Sequence, residues 1–259
     1  MLDAAQIAAG IFSGLLVGFS LGLVGGGGSI LAVPLMVYLV GVDDPHVAIG
    51  TSALAVAANA ALGLGNHARH GHVKWRSGLM YAAAGVVGAF LGSTAGKAFD
   101  GHRLLFLFAL VMILVGVLML RRRFDAGVAQ AQYHQGNGAK IGAAGFGTGA
   151  FSGFFGIGGG FLIVPGLIAA TGMPTINAVG TSLVAVTAFG LTTAGNYALS
   201  GLIDWALAGL FILGGVLGSL AGARAAGHLS SKGQLTRVFA GLIFAVAAYM
   251  LWKSYGDAF

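Results

Sequence analysis

The sequence contains no cysteine, only four prolines, and few charged side chains, which make up 8% of its 259 residues. Without cysteine the chain has neither disulfides nor thiolate metal sites. A soluble domain carries about 25% charged residues, so this chain cannot cover a water-facing surface with charge. Its seven acidic residues are all aspartates, and each falls in a predicted loop or at a segment end. A buried carboxylate relay, of the kind that couples proton movement in pumps, is therefore not visible.

Apolar residues are what the chain has in excess. They make up 57% of the sequence, and the mean hydropathy is +0.91. This composition is typical of a polytopic membrane protein surrounded by lipid. The net charge of +6 fits Lys and Arg in cytoplasmic loops beside anionic lipid. The basic residues are too scattered to indicate nucleic-acid binding.

The sequence repeats itself after about half its length. The block GGGGSILAVP at positions 25–34 reappears as GIGGGFLIVP at positions 156–165, an offset of 131 in the numbering. Further positions recur at an offset of 130: Gly50-Thr51-Ser52 as Gly180-Thr181-Ser182, Asn66 as Asn196, and Trp75 as Trp205. A duplicated apolar unit interrupted by glycine is typical of a secondary transporter that binds its substrate between two repeats.

Each half of the sequence predicts five apolar membrane segments. They cover residues 5–24, 29–41, 47–66, 77–97 and 104–120 in the first half, and 140–156, 160–172, 177–199, 205–223 and 236–252 in the second. We therefore predict an all-α polytopic membrane protein with two pseudo-symmetric repeats, at residues 1–120 and 140–259. A cytoplasmic linker at residues 121–139 joins them, because this is the only long polar stretch.

Two of the segments, 29–41 and 160–172, are too short to cross as ordinary helices. About 13 residues reach roughly 20 Å, whereas the apolar core of a bilayer is about 30 Å thick. Each follows a glycine cluster, so they are either re-entrant half-helices or parts of broken helices. If all ten segments cross, the loop Lys and Arg residues divide ten to three between the two sides, against eight to five otherwise. The positive-inside rule therefore favours ten crossings with both termini outside, which inverts the second repeat relative to the first.

The two glycine clusters are the first candidates for a substrate site. Glycine costs about 1 kcal/mol per residue in an ordinary helix relative to alanine, but it lets the backbone bend and approach a ligand. Ser29 follows the first cluster at the expected N-cap of the next helix. Free N–H groups at a helix start bind anions, and exposed backbone inside a membrane is tolerated only where it is buried or lines a cavity. The alternative is that these glycines only allow close helix packing.

Recurring hydroxyl and amide side chains extend the candidate site. Thr51-Ser52 and Thr181-Ser182 stand near the start of a long segment, where they either cap the helix or bind a substrate oxygen. Asn66 and Asn196 end the third segment of each half, where an amide either caps the helix or binds substrate. The predicted substrate-binding residues are Gly25, Gly26, Gly27, Gly28, Ser29, Thr51, Ser52, Asn66, Gly156, Gly158, Gly159, Gly160, Thr181, Ser182 and Asn196.

Two further polar side chains are weaker candidates because the repeat does not preserve their chemistry. The partner of Asn59 in the second half is Phe189, and the partner of Tyr197 in the first half is His67. Lys97, near the end of a fourth segment, either attracts an anion or reaches toward lipid headgroups.

No metal or catalytic site is predicted. His67, His70 and His72 share one loop, but no acidic residue or cysteine joins them, and the second half keeps none of them. No serine nucleophile motif is present either. We therefore expect no catalytic residue, no metal and no cofactor, and we do not expect an enzyme.

The doubled block Gly-x-Gly-Gly-(Gly/Ser)-φ-φ-φ-x-Pro, where φ is apolar, is followed in each half by Gly-Thr-Ser. This pattern resembles the TauE/SafE family of membrane proteins, and the resemblance covers nearly the whole chain. It implies a permease that exports sulfite or moves sulfonates and other organosulfur compounds. The positions shared with the family are Gly25 to Gly28, Pro34, Gly50 to Ser52, Gly156 to Gly160, Pro165 and Gly180 to Ser182.

Taken with the resemblance, the residues predict an integral protein of the bacterial inner membrane. We expect it to export a small sulfur-containing anion, such as sulfite or an organosulfonate, by alternating access between the two repeats. The glycine-rich breaks are expected to meet near the membrane midplane. A coupling proton or cation and a homo-oligomeric assembly are left open. The alternatives are an anion channel and a non-transporting membrane scaffold or assembly protein.

Overall fold

A computed structural model describes residues 2–121, 138–229 and 234–258, and these ranges are almost entirely helical, with no β-strand in them. The α-helices in these ranges are α1 (Ala4–Val24), α2 (Ala32–Tyr38), α3 (Pro45–Arg69), α4 (Trp75–Ala98), α5 (Gly101–Arg121), α6 (Gly138–Phe155), α7 (Gly160–Thr171), α8 (Thr175–Ala198), α9 (Trp205–Leu229) and α10 (Gln234–Ala258). A 3-10 segment, Gly25–Leu31, joins α1 to α2. Most of the predicted linker, residues 122–137, lies outside the described residues.

Six of the described helices are long and apolar enough to cross a membrane. These candidate spans are Ala4–Gly22, Pro45–Arg69, Trp75–Ala98, Gly101–Leu118, Thr175–Ala198 and Trp205–Gly222. Shorter apolar helices lie at Gly28–Tyr38, Gly160–Thr171 and Ala240–Lys253. The prediction of an all-α polytopic membrane protein is confirmed, and the predicted segments correspond one to one to helices of the structure.

The two predicted breaks exist, but they differ in conformation. Between α6 and α7 the chain turns through Gly156, Gly158 and Gly159, whose φ angles are +69°, +67° and +65°. Only glycine adopts this left-handed region without steric cost. In the first half the break is the 3-10 segment instead, Ser29 lies inside it, and Leu31 is the N-cap of α2. The prediction that Ser29 caps a restarting helix is therefore wrong: i→i+3 hydrogen bonds of a 3-10 segment already engage the N–H groups that a cap would serve.

Glycines bring α1 and α9 into close parallel contact. A Cβ atom added to Gly14 would overlap the carbonyl oxygen of Phe211, and one added to Gly18 would overlap the carbonyl oxygen of Gly215. Both contact positions advance by four residues, one helical turn, along each helix, so the two helices run in the same direction. Small residues at such an interface let the backbones approach, which is the usual way that helices associate in a membrane.

The pair α4 and α6 packs in the same way. A Cβ atom at Gly145 would overlap the carbonyl oxygen of Tyr81, and one at Gly149 would overlap that of Gly85. These helices are therefore also parallel and in close backbone contact.

Helices α3 and α8 lie at the centre of the bundle. Their candidate spans are 61% and 67% buried, whereas each of the other four is 39% buried. The two central helices contact each other, and α5 packs against α10. The outer helices therefore carry most of the exposed apolar side chains, such as Leu91, Leu114 and Leu217, which suits a surface that faces lipid.

Hydrogen bonds define the two ends of the bundle. The backbone N–H of Asp204 donates to Thr51 Oγ1 over 3.0 Å, so α3 and α9 begin at the same end, which we call the Asp204 end. The backbone N–H of Lys74 donates to Thr181 Oγ1 over 2.9 Å, so α4 and α8 begin at the other, the Lys74 end. Because α1 is parallel to α9 and α6 is parallel to α4, the α1–α2 hairpin opens toward the Asp204 end and the α6–α7 hairpin opens toward the Lys74 end.

Candidate functional site

The two glycine-rich breaks meet inside the bundle. The 3-10 segment contacts α7 directly. A Cβ atom built on Gly158 would lie 3.9 Å from Ser29 Oγ, 3.0 Å from Val56 Cγ1 and 3.2 Å from Val186 Cγ1. Gly158 therefore touches the opposite break as well as both central helices.

This meeting point lies near the middle of the bundle. Val56 stands in the fourth turn of α3, which begins at Pro45, and Val186 stands in the fourth turn of α8, which begins at Thr175. At a rise of about 1.5 Å per residue, each valine is about 16 Å from the end where its own helix begins. Since the two helices begin at opposite ends, residues that touch both valines lie at about the same depth from each end.

Hydroxyl groups and a helix start line the same region. Gly159 is the N-cap of α7 in the left-handed conformation, and Gly160 is the first residue of that helix. A Cβ atom at Gly159 would stand 3.0 Å from Ser152 Oγ, a fully buried hydroxyl with no hydrogen-bond partner in the described part of the chain. Backbone N–H groups at the start of a helix favour anions, and a hydroxyl adds a further donor. The arrangement can thus hold a small oxyanion with neutral donors.

Negative side chains are absent from the candidate membrane spans, whose sequences contain neither Asp nor Glu. The nearest acidic residues stand at the Asp204 end, where Asp100 accepts a hydrogen bond from the backbone N–H of Arg103 over 2.9 Å. This bond is the main cause that lowers the pKa of the Asp100 carboxyl, so it is ionised at neutral pH. An anion in the interior therefore meets no fixed negative charge within these spans.

Several buried polar atoms in the described residues have no hydrogen-bond partner. They are Ser13 Oγ, His46 Nδ1, both amide atoms of Asn59, His67 Nδ1, Ser152 Oγ, Thr193 Oγ1 and the Tyr197 hydroxyl. An unpartnered polar group in an apolar interior costs free energy, and in native proteins it usually has a specific reason. Sequence reasoning missed Ser152, because its repeat partner is Leu21 and nothing marks the position as recurring.

The recurring threonines and serines lie away from the meeting point, close to the two ends. Thr51 and Thr181 accept the bonds from Asp204 and Lys74 that join the two halves of the chain. Ser52 Oγ donates to the carbonyl of Ile49, and Ser182 Oγ donates to that of Val179. Neither pair caps its own helix, whose N-cap is Asp44 in α3 and Pro174 in α8.

The two recurring asparagines occupy different environments. Asn66 is exposed at the Lys74 end, and its carbonyl oxygen accepts a bond from His70 Nδ1 at 2.8 Å. Asn196 is 7% exposed near the Asp204 end. Its amide nitrogen donates to Ser93 Oγ over 2.7 Å, and its Oδ1 accepts from Lys97 Nζ at 2.8 Å. The structure thus does not bring Asn66 to the meeting point.

Lys97 is held by neutral groups. Its Nζ donates to the Asn196 carbonyl oxygen over 2.9 Å and to Ser200 Oγ over 2.8 Å, besides Asn196 Oδ1, and lies 5.8 Å from the centre of the Tyr197 ring. Lys97 forms no ion pair with a described residue, so its charge is not neutralised locally. Its ammonium group is a local positive charge near the Asp204 end that can attract an anion.

The other glycines predicted as substrate-binding residues have different surroundings. Gly28 is buried against Ser20 and Leu21 of α1, where an added Cβ would lie 2.5 Å from the Leu21 nitrogen. Gly25, Gly26 and Gly27 belong to the 3-10 segment. Gly156 packs on Ile49 near the Asp204 end.

The histidine loop lies at the Lys74 end, far from the meeting point. The rings of His67 and His72 are 5.5 Å apart, and those of His70 and His72 are 5.9 Å apart. No group of three or more described His, Cys, Asp or Glu side chains is placed to hold a metal ion.

The fold defines an integral membrane protein, a helical bundle whose two glycine-rich breaks meet in its interior. The profile of the TauE family, described as "Sulfite exporter TauE/SafE", matches residues 10–250. The chain therefore belongs to this family, and the resemblance seen in the doubled glycine motif is confirmed.

The curated relatives of the chain are named as probable membrane transporter proteins. The chain is 56% identical over 251 residues, 95% of each chain, to a protein of Xylella fastidiosa (strain 9a5c) named "Probable membrane transporter protein". It is 30% identical over 234 residues, 81% of this chain and 85% of the relative, to "Probable membrane transporter protein YunE" of Bacillus subtilis (strain 168). No solved structure matches the chain.

The bond between Thr51 and Asp204 gives a first testable prediction. Thr51→Val removes the acceptor of a part-buried backbone N–H, and we expect a loss of about 1 kcal/mol of stability. The matched control is Thr192→Val, because Thr192 Oγ1 donates only to the carbonyl of Ala188 in its own helix. Thermal unfolding in detergent should show a lower melting temperature for Thr51→Val than for Thr192→Val. Equal melting temperatures would show that this bond does not hold the halves together.

Proposed function

We propose that this protein is a secondary transporter that exports a small sulfur-containing anion, such as sulfite or an organosulfonate, across the bacterial inner membrane. The observation that carries the proposal is the contact of Gly158 with Ser29, Val56 and Val186 midway between the two ends of the bundle. Secondary transporters bind substrate near the midplane, where broken helices supply backbone groups. The family description as a sulfite exporter supports the substrate class.

We propose further that residues 1–120 and 140–259 are two repeats in inverted orientation. Contacts between the halves occur in corresponding pairs that support this. The contact of Gly14 with Phe211 has its counterpart in that of Gly145 with Tyr81. The hydroxyl bonds form a second corresponding pair: Thr51 accepts from Asp204, and Thr181 accepts from Lys74. Thr51 and Thr181 are 130 positions apart, and so are Lys74 and Asp204. The α1–α2 and α6–α7 hairpins, which open toward opposite ends, support inversion.

The charges at the two ends support an orientation. Seven basic residues of the described ranges stand at the Lys74 end: Arg69, Lys74, Arg76, Arg121, Lys140, Arg224 and Arg237. Three stand at the Asp204 end: Lys97, Arg103 and Lys253. By the positive-inside rule the Lys74 end faces the cytoplasm. The membrane potential then favours anion export by about 2.3 kcal/mol per charge per 100 mV.

In the proposed mechanism the anion binds to neutral donors where the breaks meet. Ser29 and Ser152 supply hydroxyl groups, and the start of α7 supplies backbone N–H groups. Both hydroxyls are fully buried, so release requires one repeat to move relative to the other. Lys97 attracts the anion toward the outer end. Coupling to a proton or cation is not required, because the potential already drives an anion outward.

Counterflow in proteoliposomes tests the proposal. Labelled sulfite is added outside vesicles that contain unlabelled sulfite, thiosulfate, sulfoacetate or chloride, with protein-free vesicles as the control. Saturable exchange that depends on a sulfur anion inside is the expected result. Flux without saturation or counterflow would indicate an anion channel. No exchange with any anion, in folded protein, would contradict transport and favour a scaffold role.

A further inference from the structure

The side chain of Asn59 is buried in the centre of the bundle without a hydrogen-bond partner. It is 2% exposed, and neither its amide nitrogen nor its amide oxygen meets a partner in the described part of the chain. Asn59 lies about four turns into α3, roughly 21 Å from the Asp204 end, so the group is far from bulk water. Leaving an amide unpartnered in such a place carries a substantial desolvation cost.

The second half of the chain fills the equivalent position with an apolar ring. Phe189 is the repeat partner of Asn59, is fully buried, and packs on Gly85 of α4. Asn59 packs on Gly215 of α9, the counterpart of Gly85, where an added Cβ would overlap its amide. The fold therefore accepts an apolar side chain at this position. The amide at 59 is not needed for packing, which indicates that it serves a ligand.

The position of Asn59 points to the ligand. Asn59 follows Val56 by three residues, so it is about 4.5 Å farther along the axis of α3 and on a neighbouring face. Val56 touches Gly158 at the meeting point of the breaks. A primary amide offers two N–H donors and one acceptor. No carboxylate in the candidate spans accompanies it, as a cation site would require in so apolar a place.

We infer that Asn59 is a specificity-determining residue for the transported anion: its Nδ2 group donates a hydrogen bond to an oxygen of the anion that binds between Ser29 and Gly158. This inference rests on the proposed transport function. Asn59 makes the two halves of the chain asymmetric, because the equivalent position of the second half holds the phenyl ring of Phe189, which packs on Gly85 instead. An oxyanion is thereby preferred over a halide of the same charge, since a directed N–H donor suits a fixed oxygen position.

The test compares Asn59→Leu with the matched variant Phe189→Leu. Removing an unpartnered buried amide should leave the melting temperature unchanged or raise it, because replacing it by an apolar group of similar size removes a desolvation cost. The concentration of sulfite that gives half-maximal counterflow should rise at least tenfold. Phe189→Leu should lower the melting temperature, because it leaves a cavity, and should keep the half-maximal concentration within about threefold of the wild type.

Asn59→Asp is the second variant. It keeps the size of the side chain but replaces the amide N–H donors by a carboxyl group, which has at most one donor when protonated and repels the anion when ionised, so the half-maximal concentration of sulfite should rise. A melting temperature of Asn59→Leu below that of Phe189→Leu, or an unchanged half-maximal concentration, would overturn the inference and make Asn59 a structural residue. Wild-type protein that exchanges no anion would instead contradict the transport function itself.

Discussion

Replacing Gly158 by valine should lower anion counterflow at least a hundredfold. Gly158 has a φ angle of +67°, which a β-branched residue adopts only with strain. Its Cβ would also stand 3.0 Å from Val56 and 3.2 Å from Val186. Both valine side chains would have to give way, and the added methyl groups would fill space near Ser29 Oγ. We therefore expect binding to fail even where the protein inserts and folds.

The matched control is Gly41→Val. Gly41 has a φ angle of +79°, so valine costs the same backbone strain there, but no atom lies within 4 Å of its Cβ position. Counterflow should be normalised to the monodisperse protein recovered from each vesicle preparation. Activity of Gly158→Val equal to that of Gly41→Val would show that the meeting point of the breaks is not the binding site.

The second large effect concerns stability rather than transport. Gly18→Ala should destabilise the protein by about 3 kcal/mol, since its Cβ would overlap the backbone of Gly215, which has no rotamer through which to yield. Gly10→Ala on the same helix is the control, because its Cβ meets Leu207 and Leu210 at 3.7 Å, an ordinary contact. Thermal unfolding should show a fall for Gly18→Ala and no fall for Gly10→Ala, where alanine favours the helix. Equal melting temperatures would contradict a tight α1–α9 interface.

The inverted-repeat proposal adds a corresponding pair in the second half. Gly149 packs on Gly85 as Gly18 packs on Gly215. Gly149→Ala should therefore destabilise the protein to a similar extent as Gly18→Ala. A neutral Gly149→Ala would show that the two interfaces are not equivalent.

Much of the fold could be predicted from the sequence because apolar composition and internal repetition constrain it strongly. The membrane segments matched helices, since long apolar runs have few alternatives in a bilayer. The second glycine break was predicted as a bend and is one, because successive glycines allow left-handed turns. The first break was harder to predict, since the same residue type also permits the tight 3-10 winding that the structure shows around Ser29.

The partners of the recurring polar residues could not be predicted. Repetition marked Thr51 and Thr181, but a hydroxyl near a helix start predicts a cap as readily as a bond to a distant loop. Only the packing of α3 against α9 and of α8 against α4 assigns these hydroxyls to Asp204 and Lys74. Repetition also marked Asn66 and Asn196, although the first is exposed and the second is buried beside Lys97.

Asn59 shows the limit of repetition as a signal of function. Its equivalent in the second half is Phe189, so the repeat gave no support to Asn59 as a site residue. Only the burial of its amide without a hydrogen-bond partner makes it a candidate. A substrate that is itself asymmetric requires differences between the halves. Residues that break the repeat inside the bundle are therefore as informative as those that preserve it.

The central claim, that the anion binds where the two glycine-rich breaks meet, can be tested by thiol labelling, because the natural chain has no cysteine. The measurement is the labelling rate of Ser29→Cys by a membrane-impermeant maleimide, applied to each side of the membrane in turn. Sulfoacetate serves as the ligand, since sulfite itself consumes the reagent, and Asp43→Cys in the exposed loop between α2 and α3 is the control. We predict labelling of Ser29→Cys from both sides that sulfoacetate slows, whereas chloride has no effect on it and sulfoacetate does not slow the labelling of Asp43→Cys. Labelling of Ser29→Cys that sulfoacetate leaves unchanged, in protein that exchanges sulfoacetate for sulfite, would contradict the claim.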